Sequence, residues 1–260
     1  MRTRSRAARY APIIKVIEEE YEIPQLGRKR RISALLPYDY ETSGKKYPVL
    51  YLHDGQNLFN DYAPFGNWGV DKSLQKLASQ GMSDIIIIAI DHGGKLRIQE
   101  YLPFAGTQFK ESEGKLYLNF MMETLKPNIE SMFRVKPERE YTGIGGSSMG
   151  GLISLYAGLQ YPEVFGKMMI FSPSLWLSAE IYSIAKRFKP LANTDIYIYA
   201  GGMESLEHYE NVKLLERILR LKQMDDPRFN IRLAHNPKGT HSEFYWGKQF
   251  PIALEWLYFT

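Results

Sequence analysis

A short run of isoleucines constrains the fold more than any other feature of this 260-residue chain. Between Asp84 and Asp91, five isoleucines are interrupted only by one alanine, and Gly93 and Gly94 follow the run. A segment so short and so rich in β-branched residues is typical of a strand that is buried on both faces. Such strands occur in parallel sheets that helices cover on both sides. The run therefore predicts an α/β fold.

The rest of the chain alternates between strand-like and helix-like segments. Two β-like stretches, Ile14–Ile23 and Arg31–Leu36, predict an antiparallel N-terminal hairpin. Further strands are predicted at Tyr47–His53, Asp84–Asp91, Tyr141–Gly146, Phe165–Phe171, Asp195–Ala200 and Phe229–Ala234. Helices are predicted at Asp71–Ser79, Gly114–Phe133 (kinked or divided by Pro127), Ser148–Gln160, Ala179–Phe188, Leu206–Leu221 and Phe250–Leu257. This order predicts one domain over residues 1–260, with a mostly parallel central sheet and helices on both faces.

The composition excludes several kinds of site and partner. The chain has no cysteine, so disulfides, thiolate metal sites and cysteine nucleophiles are excluded. Its longest apolar run is far shorter than the roughly 20 residues of a membrane helix. The N-terminal arginines are not followed by the apolar segment of a secretory signal. We therefore expect a cytoplasmic protein that does not bind membranes.

The net charge of +4 is mildly basic. Basic residues are scattered, apart from Arg28–Arg31 and the Arg-rich first ten positions. Such runs are more often solvated surface than contacts to nucleic acid, and no nucleic-acid-binding motif accompanies them. No nucleic-acid partner is expected, and the sequence leaves the oligomeric state open.

A candidate nucleophile lies between a predicted strand and a predicted helix. Residues 146–150, Gly-Ser-Ser-Met-Gly, fit the pattern G-x-S-x-G with Ser148 at its centre. The pattern alone is weak, but here it directly follows a strand and opens a helix, which is the setting that gives it meaning. A tight turn there needs glycine at positions 146 and 150 and strains the backbone of the serine. The alternative is a glycine-rich turn that only lets the helix approach the strand.

A serine nucleophile needs a base, and the base needs a carboxylate to orient it. In hydrolases with this turn the partners follow in the order serine, acid, histidine. His241 lies just past the last predicted strand and is the favoured base, with His235 at the end of that strand as the second choice. Glu204 follows the preceding strand at its C-terminal end and is the favoured acid.

The negative charge that develops on the carbonyl oxygen needs two backbone donors. One candidate is the N–H of Met149, which follows the nucleophile. The other is the N–H of Gln56, in the loop after the strand that ends at His53. Gly55 would let this loop approach a substrate closely, although it also fits an ordinary turn.

Five segments in order resemble the putative-esterase family of α/β-hydrolases, which includes carbohydrate esterases of family 1, siderophore esterases and mycolyltransferases. They are Leu52-His-Asp-Gly-Gln-Asn-Leu-Phe, Gly145-Gly-Ser-Ser-Met-Gly-Gly-Leu-Ile-Ser, Phe171-Ser-Pro-Ser-Leu-Trp, Ala200-Gly-Gly-Met-Glu-Ser and Gly239-Thr-His-Ser-Glu-Phe-Tyr-Trp. The resemblance implies an α/β-hydrolase fold without a large lid, and a triad of Ser148, Glu204 and His241. It implies neither metal nor cofactor. It also places Trp176 and the loop from Arg97 to Tyr101 near the substrate cleft, and Trp176, Asp54 and Tyr101 are the candidate substrate-binding residues; a core aromatic is the alternative for Trp176.

The expected activity is that of a serine esterase. The substrate is expected to be a short acyl or aromatic ester, small or carried on an oligosaccharide, as for acetyl and feruloyl esterases. A siderophore ester or a thioester would use the same residues, and so would acyl transfer to an alcohol. A binding module that keeps the fold without catalysis is the alternative from another class.

Overall fold

The computed structural model describes residues 9–61, 63, 65–191 and 193–259. Most of the Arg-rich first ten positions, expected to be a solvated tail, lie outside these residues. The described residues form one eight-stranded sheet in the order β1-β2-β4-β3-β5-β6-β7-β8. The strands are β1 (Ile13–Ile23), β2 (Arg28–Leu36), β3 (Val49–His53), β4 (Ile86–Ile90), β5 (Thr142–Ser147), β6 (Lys167–Phe171), β7 (Thr194–Gly201) and β8 (Phe229–Asn236).

The isoleucine run forms β4, and all five of its residues are buried. β4 pairs in parallel with β3 and antiparallel with β2, whose hairpin with β1 extends the sheet at one edge. From β4 through β3 to β8 every neighbouring pair is parallel. The predicted fold class is confirmed: a mostly parallel sheet with an antiparallel N-terminal hairpin and helices around it.

Helices connect the strands. In the described part of the chain they are α1 (Tyr40–Ser43), α2 (Val70–Ser79), α3 (Arg97–Tyr101), α4 (Gly114–Phe120), α5 (Lys126–Met132), α6 (Met149–Gln160), α7 (Glu180–Arg187), α8 (Leu206–Asp225) and α9 (Glu243–Tyr258). None of these helices combines the length and the apolar character needed to cross a bilayer. The sequence prediction missed the short helices α1 and α3 and began the last helix at Phe250 instead of Glu243.

The helix predicted at Gly114–Phe133 is divided, as expected, but not by a proline kink alone. A π-helical segment, Met121–Leu125, joins α4 to α5. Pro127 lies in the first turn of α5, where a missing N–H costs little. The π-helical turn comes directly before the turn that contains Pro127, and the backbone is helical on both sides of the proline.

The core lies on both faces of the sheet because each buried strand sends alternate side chains to opposite sides. Tyr51 and Ile88 belong to the larger cluster, which packs against α4 to α8. Leu50 and Leu52 belong to the smaller cluster, which packs against α2 and α9. This two-sided burial explains why β3 and β4 read as continuous apolar runs rather than as alternating ones.

We expect Ile88→Ala to lower the free energy of unfolding by about 2–5 kcal/mol, because it leaves a cavity under a fully buried side chain in the middle of the sheet. Ile14→Ala is the matched control, since Ile14 lies in β1 and is 44% exposed. Its cost should be less than about 1 kcal/mol. Urea unfolding followed by circular dichroism measures both, and equal losses would contradict the assignment of the core.

Candidate active site

The loops at the carboxyl ends of the parallel strands bring the candidate residues together. Ser148 follows β5, Ser172 follows β6, Glu204 follows β7 and His241 follows β8. Because parallel strands end at the same edge of the sheet, residues far apart in sequence meet there. This edge is the usual position of a ligand site in an open α/β sheet.

Ser148 occupies a strained turn between β5 and α6. Its backbone has a φ of 57° and a ψ of −120°, a conformation that side chains rarely adopt. The turn is closed by two glycines: a Cβ on Gly146 would lie 2.8 Å from the carbonyl carbon of Gly150. A Cβ on Gly150 would lie 2.9 Å from Oδ2 of Asp54. The expected need for glycine on both sides of Ser148 thus has a direct steric cause.

Glu204 and His241 are hydrogen bonded to each other. Nδ1 of His241 lies 2.7 Å from Oε2 of Glu204. The other carboxylate oxygen, Oε1, accepts hydrogen bonds from Oγ of Ser172 at 2.6 Å and from the N–H of Gly201 at 2.8 Å. The Glu204 side chain is almost fully buried, whereas that of His241 is 43% exposed. Glu204 therefore holds the imidazole through Nδ1, and the exposed part of the ring is accessible to a ligand.

The charge of Glu204 is maintained despite its burial. Burial alone would raise the pKa of this carboxyl, but the hydrogen bonds from His241, Ser172 and Gly201 and the nearby His208 lower it below its ordinary value of 4.5. Nε2 of His208 lies 3.2 Å from Oε2 of Glu204, while burial lowers the pKa of His208. A charged Glu204 is suited to stabilise an imidazolium at His241.

Ser148 and His241 line the same two cavities, although no hydrogen bond joins them in this structure. The Ser148 hydroxyl instead lies 3.2 Å from Oγ of Ser174. Catalytic contacts of this kind are often long in ligand-free enzymes and shorten when substrate binds. His235, the second-choice base, stacks on Tyr209 with ring centroids 4.1 Å apart and lines neither cavity.

The two predicted oxyanion donors lie at the starts of helical segments. Met149 is the first residue of α6, so its N–H has no acceptor within the helix. Gln56 lies in a single 3₁₀ turn, Gly55–Asn57, and its side chain accepts a hydrogen bond from the N–H of His92. That bond ties the loop after β3 to the loop after β4.

The smaller cavity has a volume of about 230 Å³ and is lined mostly by side chains with polar groups. Trp176, which is 55% exposed, lies on its wall. The other lining side chains carry hydroxyl, carboxylate, amide or imidazole groups: Ser148, Ser174, Glu204, Ser205, Glu207, His208, Asn211 and His241.

The larger cavity has a volume of about 640 Å³, and three large aromatic side chains are part of its lining. Phe65, Trp68 and Trp246 line it together with Arg97 and Asp54. Arg97 donates two hydrogen bonds to the Asp54 carboxylate, at 2.6 and 2.8 Å. Asp54 is therefore at the cavity as predicted, but its charge is already paired by the protein.

Tyr101 is not where the resemblance implied. Its side chain is fully buried, and Arg97 lies over its ring, 5.4 Å from the centroid. Arg97 and Tyr101 are four residues apart in the helix α3 and so lie on the same side of it, with Arg97 nearer the cavity. Arg97 and Ile98 face the cavity, whereas Tyr101 packs against His53 below it. In this structure Tyr101 supports the site and does not line it.

Comparison with known proteins shows the family. The family model described as Putative esterase matches residues 23–257, which is most of the chain. The chain belongs to this esterase family. Family membership makes the protein a carboxylic ester hydrolase.

Relatives and solved structures agree with the family assignment. The uncharacterized protein YbbA of Bacillus subtilis is 28% identical over 242 residues, covering 88% of this chain and 92% of its own. An endo-1,4-beta-xylanase/feruloyl esterase of Xylanibacter ruminicola is 27% identical over 192 residues, 70% of this chain but 24% of that protein. The enterobactin esterase FES of Shigella flexneri has a similar fold, with a TM-score of 0.71 at 20% identity, over 95% of this chain and 59% of that one.

Sequence reasoning missed two residues that shape the site of this esterase, Ser172 and Trp246. Both lie within the matching segments, but nothing in their spacing indicates that they meet. The loop from Arg97 to Tyr101 was expected near the substrate, and Arg97 lines the larger cavity. Within the described part of the chain, no group of three or more His, Asp or Glu side chains is arranged to hold a metal ion.

We expect Gly146→Ala to abolish most activity of the esterase and to lower its melting temperature, because the new methyl group collides with the backbone of Gly150 and opens the turn at Ser148. Gly106→Ala is the control, since a Cβ there meets nothing within 4 Å. Thermal unfolding and p-nitrophenyl acetate hydrolysis measure both effects. A fully active Gly146→Ala variant would show that the tight turn is not required.

The lowered pKa of Glu204 also predicts a pH dependence. A carboxyl whose pKa is lower in the folded state stabilises the fold above its unfolded pKa, here 4.5, and this contribution is lost as the pH falls through the folded value. Glu204→Gln should therefore lower the melting temperature at pH 7, and the difference from wild type should shrink below about pH 4. A difference that stays constant from pH 7 to pH 3 would contradict this origin.

Proposed function

We propose that this esterase is a serine carboxylester hydrolase that works through an acyl-enzyme. The observation that carries the proposal is the convergence of Ser148 and His241 on the same two cavities, with His241 held by the buried Glu204. Ser148 lies at the N-terminus of α6, where the helix dipole and free N–H groups favour a developing negative charge.

The reaction has two steps. Ser148 attacks the ester carbonyl while Nε2 of His241 takes its proton, and Glu204 holds the imidazole through Nδ1. The N–H groups of Gln56 and Met149 stabilise the oxyanion of the tetrahedral intermediate. His241 then gives the proton to the leaving alcohol, and water repeats the sequence on the acyl-enzyme to release the acid.

The cavities support a short acyl or aromatic ester as the substrate, either a small molecule or carried on a carbohydrate. The aromatic side chains of the larger cavity suit a flat ring. The exposed Trp176 and the polar side chains of the smaller cavity suit a hydroxyl-rich group. Esterases named for feruloyl esters and for enterobactin are among the similar proteins. A siderophore ester or a thioester is the alternative substrate.

We expect Ser148→Ala to lower kcat by about three orders of magnitude or more without unfolding the protein, because the nucleophile is lost while the surrounding contacts remain. The assay uses p-nitrophenyl acetate, methyl ferulate, acetylated xylo-oligosaccharides, a siderophore triester and a thioester, so that the same experiment ranks the substrate classes. A Ser79→Ala variant, on the exposed surface of α2, serves as the control.

A fluorophosphonate probe tests the nucleophile directly. Wild-type protein should gain the mass of the probe on the peptide that contains Ser148, and Ser148→Ala should gain none. Normal turnover by Ser148→Ala would overturn the proposal. A wild-type protein that is neither labelled nor active on any of the esters would favour the non-catalytic binding module instead.

A further inference from the structure

Glu204 is fixed by a chain of hydrogen bonds that begins outside the triad. Ser172 lies directly after β6, fully buried, with a φ of 43°. This strained backbone points its hydroxyl at Oε1 of Glu204, 2.6 Å away. The same oxygen accepts the N–H of Gly201, which leaves Oε2 for His241. The orientation of the carboxylate thus depends on the direction of the Ser172 hydroxyl.

Trp246 determines that direction. Its indole N–H, in the first turns of α9, donates to Oγ of Ser172 over 2.9 Å. An indole N–H can only donate, so the Ser172 oxygen must be the acceptor and its single proton is left for Glu204. The hydrogen bonds therefore form a series with fixed directions, which connects Trp246 through Ser172 and Glu204 to His241. Each bond polarises the next.

The Trp246 ring also contacts His241, at the other end of this series of hydrogen bonds. Its centroid lies 4.8 Å from that of His241, with the two rings at 85°. The side chain is only 4% exposed and packs beside Trp68, so its position is fixed by the core of the smaller cluster. One buried side chain thus orients the acid through a hydrogen bond and restrains the base through its ring.

We propose that Ser172 and Trp246 are positioning residues of the esterase, which hold Glu204 in the one orientation that lets it align His241. The inference rests on the proposed triad and deepens it. A strained backbone such as that of Ser172 persists only where the surrounding structure holds it in place. The positive φ of Ser172 therefore agrees with a functional role for its hydroxyl.

The inference also predicts a change in the pH dependence of stability. The hydrogen bond from Ser172 contributes to the lowered pKa of Glu204. Without it the pKa of Glu204 rises toward its ordinary value, so Ser172→Ala should lower the melting temperature at pH 7 by an amount that shrinks as the pH falls below 4.5. The other titratable groups near Glu204 and His241 are His208 on α8, Tyr199 on β7 and Glu243 on α9, with Asp54 and Arg97 across the cavity. The variants below leave all of them in place.

The test compares Ser172→Ala and Trp246→Phe with wild type. Trp246→Phe removes the indole N–H but keeps an aromatic ring against His241. Trp256→Phe, on the same helix and packed edge-on against Tyr197, is the matched control. On p-nitrophenyl acetate, we expect both variants to lower kcat about tenfold, the effect of losing one hydrogen bond to a charged group, with KM within about twofold of wild type. Trp256→Phe should change neither quantity.

A double variant tests the order of the chain. If Trp246 acts on Glu204 through the Ser172 hydroxyl, adding Trp246→Phe to Ser172→Ala should lower kcat much less than it does in wild type. Fully multiplicative effects would overturn the inference, because loss of packing alone predicts them. Circular dichroism shows whether each variant is folded.

Proton NMR separates this inference from the proposed function. The Nδ1 proton of His241, bonded to Glu204, should give a downfield signal that is absent from His241→Ala and broadened in Ser172→Ala and Trp246→Phe. This readout needs no substrate. An inactive wild type would count against the serine esterase, whereas an active wild type with an unchanged signal in both variants would count against the positioning role.

Discussion

The contact between Gly146 and Gly150 sets the geometry on which the rest of the site depends. It allows α6 to begin immediately after β5, and the chain can make that reversal only if Ser148 adopts a positive φ. Such a conformation costs about 1–3 kcal/mol, so it must be held by its surroundings. Here it is held by the sheet on one side, by α6 on the other and by Asp54 above Gly150. The strain places the serine hydroxyl at the mouth of two cavities instead of inside the helix.

The antiparallel hairpin of β1 and β2 is joined by ion pairs to α3, beside the candidate active site. Glu100 in α3 is fully buried and contacts Arg30, at 3.0 Å, and Arg28, at 2.9 Å, both on β2. Breaking a buried pair of this kind is costly, since one charge is left without a partner. The pairs therefore fix α3 against the sheet, and α3 carries Arg97 to Asp54 beside the nucleophile turn. This explains why β2 begins at Arg28, earlier than the apolar pattern indicated: its first side chains pair with charges instead of packing in the core.

The sequence predicts those parts of the site that local rules control. The isoleucine run, the glycines around Ser148 and the order of nucleophile, acid and base all follow from short segments and from the strand that each one ends. Ser172 and Trp246 lie 74 positions apart, and their hydrogen bond depends on how α9 packs on the sheet, which no local pattern encodes. Tyr101 was misplaced for a related reason: the burial of its ring beneath Arg97 and against His53 depends on how α3 packs on the sheet.

The meeting of two cavities at Ser148 and His241 bears on what the esterase can accept. An ester carbonyl has an acyl group on one side and an alcohol on the other, and a nucleophile at the bottom of a single pocket would have to fit both into one volume. Here the two volumes differ in their lining, since one has mostly polar side chains with Trp176 and the other adds Phe65, Trp68 and Trp246, and Ser148 and His241 line both of them. An ester could then place its acyl and alcohol parts in different surroundings. Trp246 lines the larger cavity and also donates to Ser172, so the side chain proposed to orient Glu204 is part of the wall of one of the two cavities.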